Sequence, residues 1–402
     1  MKILWLIPKW TFPVNDGARV ATDSLVRNTI RLGAEVDILC LPTKDERINL
    51  KEMEEAWGVK KIHVLHRNIP SRGWVKMTYY LRNLIFNPKT PLTFASFSEK
   101  RMAQKLDEIL AGVSYDIILL DGLHLGVPLL KSKRVLWSKV IYRAHNIEAD
   151  LWKKAAAEAT NPLKKWLLKF QHGLVQNFEE KISAQSAGVA AISQEDADVL
   201  KKHSIKKLKL IPLGLNFSHP LPVSSLNKTS SNFLFIGRLD WAPNRDGLKW
   251  LLKEVWPKVI KRRPSANLKI VGSGDKTWLK EFSETPGLEI SGYVPSIRDA
   301  YQDCDFTVVP VFYGSGTRIK VIESFALGRN LISTRMGVQG ADLTEEDYFG
   351  AETAEEWIEL LSTITLNESH IESLSKSRLR LANEFGDVEI GKRFYHWLST
   401  LS

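Results

Sequence analysis

The chain has 402 residues, 44% of them hydrophobic and 25% charged. That balance suits two or three globular domains and excludes a wholly disordered, collagen-like or disulfide-built chain. Basic side chains outnumber acidic ones by 56 to 46, unevenly: residues 1–215 hold 34 Lys and Arg against 22 Asp and Glu, the remainder 22 against 24. An anionic partner is therefore expected on the first half. Cys40 and Cys304 make neither a disulfide framework nor a cysteine zinc site, which points to a reducing, cytoplasmic setting.

Residues 1–8 carry too short an apolar run for a signal peptide, and Lys9, Trp10 and Thr11 stand where a small-residue cleavage site would be. No apolar run reaches the ~18 residues of a membrane span. Residues 3–7 read as a strand, 8–17 as a turn-rich loop, 18–32 as a helix with Gly33 at C′, and 35–41 as a second strand. Buried strands are expected at 116–120, 140–142, 187–192 and 209–212. A Ser/Pro/Asn-rich linker at 216–231 follows. The alternation restarts with a strand at 233–236, a helix over 247–262 and strands at 268–271, 289–290, 306–310 and 330–333. Strands alternating with helices imply parallel sheets covered on both faces, hence two doubly wound α/β domains in tandem. In such folds ligands bind beyond the carboxyl ends of the strands, and the cleft between domains is the favoured site. The domains are expected at 1–215 and 232–385. The end of the chain, 388–401, reads as an amphipathic helix with Ile390, Phe394 and Trp397 on one face.

The most informative stretch is 309–329, a buried strand running through Gly314, Ser315, Gly316 and Thr317 into a helix. Small residues at a helix start let backbone N–H groups approach a phosphate. Arg318 and Lys320 add positive charge, and Glu323 offers a carboxylate to a pair of hydroxyls such as those of a ribose. Neither this turn nor Gly272-Ser273-Gly274 has the third glycine of the dinucleotide fingerprint, and no Walker lysine signature is present. Asp303-Cys304-Asp305 spells an Asp-x-Asp triplet but directly precedes a buried strand, so a structural role is expected; the histidines lack zinc spacing. His145 follows a candidate strand and is expected to face a cleft, whereas His124, which also follows one, is expected to be a satisfied structural histidine.

The chain resembles the GT-B glycosyltransferases of glycosyltransferase family 4, the glycosyl transferases group 1. The similar stretches are "FLFIGRLDWAPNRDGLKWL", "LKIVGSG", "LEISGYV", "CDFTVVPV", "GSGTRIKVIESFALGRNLIST" and "VAAISQEDADVL", with "YRAHNIEADLW" and "DGARVAT" in the first half. The resemblance is strongest over 232–340. It implies two Rossmann-like domains facing a central cleft, with residues 386–402 crossing back to the first. It also implies retaining, metal-independent transfer from a nucleotide diphosphate sugar, UDP- or GDP-linked, with no other cofactor. Arg238 matches the arginine that contacts the donor diphosphate, Tyr293 and Val294 the stretch that reads the base, Gly272 part of the donor loop, and Glu323 the ribose-holding second glutamate of an E-x7-E motif. Gly17 matches the glycine loop facing the donor phosphates, and His145 a histidine near the reacting centre. Two departures stand out. Ser315 occupies the first glutamate position, and the lysine usual about five residues after the arginine is replaced by Pro243 and Asn244. Lys320 is expected to supply that charge from the other side, so that Arg238, Lys320 and the Gly316–Thr317 amides stabilise the leaving diphosphate.

Residues 56–98 contain no Asp or Glu, and Lys60, Lys61, Arg67, Arg72, Lys76, Arg82 and Lys89 interleave there with Trp57, Trp74, Tyr79, Tyr80, Phe86, Phe94 and Phe97. Such a pattern suits an anionic membrane surface or an anionic lipid-linked acceptor. A second stripe, Leu163, Trp166, Leu167, Phe170, Leu174, Phe178 and Ile182, is expected to pack into the core. No nucleic-acid motif accompanies the charge. The function expected is transfer of a sugar to a glycan or lipid-linked glycan in cell-surface polysaccharide synthesis, in the cytoplasm or on the inner face of the membrane. The alternatives are a non-catalytic sugar-nucleotide binder and a sugar-nucleotide epimerase.

Overall fold

Val-, Ile- and Leu-rich runs build two parallel sheets in a computed structural model that describes residues 1–14, 17–70, 73–222, 232–294, 296–314 and 318–402. The first sheet comprises Lys2–Ile7 (β1), Glu35–Cys40 (β2), Lys61–Val64 (β3), Ile117–Asp121 (β4), Val140–Ala144 (β5), Gly188–Ala191 (β6) and Leu208–Leu210 (β7). Its order is β3-β2-β1-β4-β5-β6-β7. Alternate side chains of β1 enter opposite cores, as the pleat requires. Leu4 and Leu6 pack with Leu106, Tyr142 and Val175, whereas Ile3, Trp5 and Ile7 pack with Leu25, Val26, Ile390 and Phe394. The helix Asp387–Ser399 thereby brings the chain's end into this first unit, which is 1–213 with 390–402. Trp5 and Phe394 meet at 5.9 Å between ring centroids.

The second unit, 214–389, holds Asn232–Ile236 (β8), Asn267–Val271 (β9), Leu288–Gly292 (β10), Phe306–Val309 (β11), Asn330–Ser333 (β12) and Phe349–Gly350 (β13). Their order is β10-β9-β8-β11-β12-β13, all parallel. Its core joins Phe233, Phe235, Ile270 and Val308 to Leu248, Val255, Trp256 and Trp357.

Several local expectations differ from the structure. The helix expected over 247–262 begins at Ala242, with Pro243 in its first turn, and widens to a π-turn over Leu251–Val255. The next segment is Trp256–Arg262, and Pro257 there has no N–H to give the preceding turn. The stripe expected in the core at 162–182 is also displaced. Within the helix Pro162–Gln185 the buried side chains are Gln171, Val175, Glu179, Ile182 and Ser183. Leu163, Trp166 and Phe170 are exposed. Strands β3 and β13, which the pattern did not suggest, are partly exposed edges. No helix among the described residues is long and apolar enough to cross a membrane.

Candidate functional site

In each sheet the chain reverses its direction of progress beside the first strand, at β1/β4 and at β8/β11. A crevice opens beyond the carboxyl ends at such a reversal. In the second unit two glycines make this crossing tight. A Cβ on Gly272 would stand 1.9 Å from the Gly237 carbonyl oxygen, and one on Gly237, whose φ is +149°, would stand 2.8 Å from Asn244 Nδ2. Asn244 ties the crossing together. Its Nδ2 donates to the Arg238 carbonyl at 2.9 Å, and its Oδ1 accepts from Lys320 Nζ at 2.8 Å.

Lys320 lies in the first turn of the helix Ile319–Ala326, 8% exposed, its Nζ 4.2 Å from the centroid of the Phe235 ring. Burial first, then nearby Arg318, lower its pKa from 10.5 to about 7 against the opposing pull of Glu323. Burial likewise raises Glu323 to about 7, with Lys320 pulling it down. Lys320, from the first turn of this helix, thus reaches Asn244, one of the two residues that stand where the lysine usual after Arg238 would be. Arg318 is also buried and lies 5.8 Å from the Trp241 ring centroid.

Arg238 is placed differently. Its side chain is 70% exposed and grips Asp240 as a fork, Nε to Oδ1 at 3.0 Å and Nη2 to Oδ2 at 2.7 Å. Tyr293, just past β10, is half exposed, and Val294 packs beside Val271 and Ala300. Ser315, Gly316 and Thr317 lie outside the described residues. Asp305 stands at the other end of the sheet, where its Oδ2 accepts from the Asn232 N–H at 2.8 Å at the start of β8. It is buried and structural.

In the first unit, a cavity of about 410 Å³ opens at the carboxyl ends of β1, β4 and β5. Asp121, the last residue of β4, is fully buried beneath it. Its Oδ1 accepts from Arg143 Nη1 at 2.8 Å and from His145 Nε2 at 2.5 Å; its Oδ2 accepts from Thr22 Oγ1 at 2.6 Å and Trp5 Nε1 at 3.2 Å. Burial alone would raise the Asp121 pKa, but Arg143 and His145 hold it well below the usual carboxylate range. In the neutral form of the ring, an Nε2–H committed to Asp121 leaves Nδ1 as the acceptor.

His124 also lines this cavity, between Phe94 and Phe97 at 4.6 and 5.6 Å. Burial, Arg67 and His145 lower its pKa to about 4, so it is a neutral imidazole at physiological pH. Arg67 is locked by Leu41 O at 2.6 Å, Ser96 Oγ at 3.0 Å and Pro8 O at 3.1 Å. Glu148, on the cavity wall, is raised to about 7 by burial. Gly17 begins the helix Gly17–Arg31, and its neighbour Ala18 lines the cavity.

Sequence reasoning missed Asp121, Arg143, Asn244 and Asp240 as site residues. Arg143 did leave a signal: an arginine inside the apolar run Val140–Ala144 must find a buried counter-charge.

Residues 230–365 match the family described as glycosyl transferases group 1. A Klebsiella pneumoniae protein described as an uncharacterized 44.6 kDa protein in the cps region is 24% identical over 353 residues, covering 84% of each chain. Among solved structures, sucrose-phosphate synthase from Thermosynechococcus elongatus is 15% identical with a TM-score of 0.66, covering 100% of both chains. HepE from Anabaena, solved in complex with UDP-glucose, is 14% identical with a TM-score of 0.62, again over 100% of both. The chain therefore has the GT-B fold of two Rossmann-like domains, and its segment 230–365 carries the match to the glycosyl transferases group 1.

Proposed function

We propose that the chain is a retaining glycosyltransferase of family 4. It would move a sugar from a UDP- or GDP-linked donor to a glycan or lipid-linked glycan in cell-surface polysaccharide synthesis. The observation that carries this reading is the Gly237–Asn244–Lys320 assembly at the β8/β11 reversal, inside the segment that matches the group 1 family. The cps-region relative supports the polysaccharide setting, and the UDP-glucose complex of HepE supports the donor class.

As the bond to the sugar breaks, negative charge builds on the diphosphate while the sugar carbon becomes oxocarbenium-like. Lys320, near-neutral when its site holds no anion, takes up a proton when one arrives, because an adjacent negative charge raises an ammonium pKa. Arg238 exchanges the Asp240 carboxylate for diphosphate oxygens, a forked pairing that guanidinium favours. Together they stabilise the leaving group without calling on a metal. Glu323 accepts hydrogen bonds from ribose hydroxyls, and the Tyr293–Val294 backbone reads the base. In the first unit His145 offers Nδ1 to a hydroxyl of a sugar in the cavity, its ring held in place by Asp121. The basic surface of this unit brings the enzyme to the anionic inner face of the membrane.

The test is incubation with labelled UDP- and GDP-sugars, with and without extracted lipid-linked glycans, and NMR assignment of the new anomeric centre. Transfer that needs an acceptor and keeps the donor's α configuration is expected. Epimerised nucleotide sugar without an acceptor, or binding without turnover, would replace this reading by one of its two alternatives.

A further inference from the structure

The aromatic side chains of the second unit are of two kinds. Trp256, Trp278 and Trp357 sit in or against its core. Their indole N–H groups donate to the carbonyls of Pro286, Leu239 and Ala351 at 3.1, 3.2 and 2.8 Å. Trp241, Phe312 and Tyr313 instead reach the surface, 37, 38 and 45% exposed, and the Trp241 N–H has no acceptor among the described residues. Phe312 is packed against Trp250, edge to face, at 4.7 Å between ring centroids. Trp241 and Tyr313 stay open to solvent, yet both are held in place.

Trp241 directly precedes the helix Ala242–Trp250, three residues past Arg238. Arg318, itself buried, lies 5.8 Å from the centroid of its ring, so the exposed surface is the opposite face and the edge. Tyr313 is fixed through its hydroxyl, which donates to Asp246 Oδ2 at 2.6 Å. That bond, with help from Arg245, holds the Asp246 carboxyl below its ordinary pKa, so the anchor is ionised at neutral pH. Gly314 lies beside both rings. A Cβ there would stand 3.6 Å from Trp241 Cη2, 3.4 Å from Pro243 Cγ and 3.4 Å from Arg318 Nη2. Its φ of +115° also suits glycine. The turn after β11 thus passes the indole with no side chain between them.

A ring already locked in place loses little conformational freedom when a ligand lands on it. The electron-rich face of such a ring attracts polarised C–H groups, and a pyranose has C–H groups on its faces and hydroxyls on its rim. Position in the site selects which sugar this is. Trp241 follows the arginine proposed to grip the diphosphate, and Tyr313 precedes the turn proposed to face it. The group bonded to that diphosphate is the sugar to be transferred.

We propose that Trp241 and Tyr313 form an aromatic rest for the donor's pyranose ring, with a C–H face of the sugar on the indole and the indole N–H donating to a rim hydroxyl. The inference rests on the proposed donor site and deepens it by assigning two residues that hold the transferred sugar rather than the nucleotide.

The experiment is calorimetric titration of the full chain with UDP, UDP-glucose, UDP-galactose, GDP and GDP-mannose. It is repeated on Trp241→Leu, Trp241→Phe and Tyr313→Leu, with melting curves to confirm that each folds. The quantity read is the affinity for a nucleotide sugar divided by that for its free nucleotide. Each Leu variant should lower this ratio about two- to tenfold and leave UDP and GDP affinity unchanged, and Trp241→Phe should recover most of the loss. In the wild type, NMR of the bound nucleotide sugar should show its sugar-ring protons shifted upfield by the stacked indole.

An unchanged ratio in Trp241→Leu, or an equal loss for nucleotide and nucleotide sugar, overturns the proposal. So does the absence of an upfield shift in the wild type, which keeps the test decisive where a variant fails to fold. An unchanged ratio with a raised acceptor KM would move the rings to the acceptor and overturn it as well. The two readings fail separately. A wild type that binds no nucleotide ends the donor reading and this inference with it, whereas one that binds nucleotide but shows no dependence on the rings ends this inference alone.

Discussion

Replacing Lys320 by Met should make the second unit more stable while weakening its hold on a nucleotide. Met has nearly the length of the lysine stem and no charge to bury. The drop in the Lys320 pKa from 10.5 to about 7 is equivalent to about 5 kcal/mol of charge-burial cost at 1.36 kcal/mol per pH unit. Asn244 Oδ1 would lose its donor, which returns about 1–3 kcal/mol of that gain. A net stabilisation of about 2 kcal/mol lies within the range seen when buried charges give way to apolar side chains. It corresponds to about 4–8 °C in melting temperature for a unit of this size. The pH dependence has a definite sign. Between about 7 and 10.5 the unfolded chain holds the Lys320 proton more tightly than the native one, so wild-type stability rises across that window. The advantage of the variant is therefore full below pH 7 and gone above pH 10.5. Nucleotide affinity should meanwhile fall by about 10–100-fold, the value of a charge-assisted hydrogen bond. Calorimetric melting at pH 6.5 and 10.5, with UDP and GDP titrations, measures both effects. A variant that melts lower than wild type and binds nucleotide equally well would refute the reasoning.

Further consequences follow from individual side chains. Arg238→Ala should lower turnover by about two orders of magnitude, the loss of one transition-state donor; a steady-state assay showing near-normal turnover would remove Arg238 from the donor site. Gly272→Ala drives a Cβ to 1.9 Å from the Gly237 carbonyl oxygen. It should destabilise the second unit by about 1–3 kcal/mol or more in a denaturant titration and cost nucleotide affinity, because Gly237 and Asn244 shift together. His124, lowered from 6.5 to about 4, is neutral in the native first unit and readily protonated when unfolded. Its contribution, about 3 kcal/mol, is present above pH 6.5 and lost as pH falls towards 4. His124→Gln should flatten that acid limb of the stability profile, and an unchanged limb would show that the ring is solvated.

The sheets were legible because their central strands are buried on both faces. Lys2–Ile7 and Ile117–Asp121 are apolar almost throughout, which only a covered parallel strand explains. Lys61–Val64, with Lys61 exposed and its other side chains half buried, has no such signature, and β13 is two residues long. The π-turn at Leu251–Val255 was hidden for another reason: helical periodicity continues through it, and only Pro257 marks the spot. At the donor side, small residues, Arg318, Lys320 and Glu323 stood close in sequence, so their conjunction was readable. The Asn244–Lys320 bond joins residues 76 apart and depends on how β8 and β11 meet. Asp121, Arg143 and His145 likewise come from two strand ends, and no spacing rule links them. The exposure of Trp74 and Ile85 could not be separated by pattern from burial in a core, since an apolar face looks the same in sequence whether or not a partner covers it.

The central claim is that the β8/β11 reversal binds a nucleotide diphosphate. A thermal-shift titration of the wild-type chain with UDP, GDP and ADP, each with and without Mg²⁺, tests it directly. One nucleotide, at about 100 times its dissociation constant, should stabilise the protein by about 2.7 kcal/mol, with or without the metal and with an affinity that weakens as pH rises above 7. No stabilisation by any of the three would contradict the account.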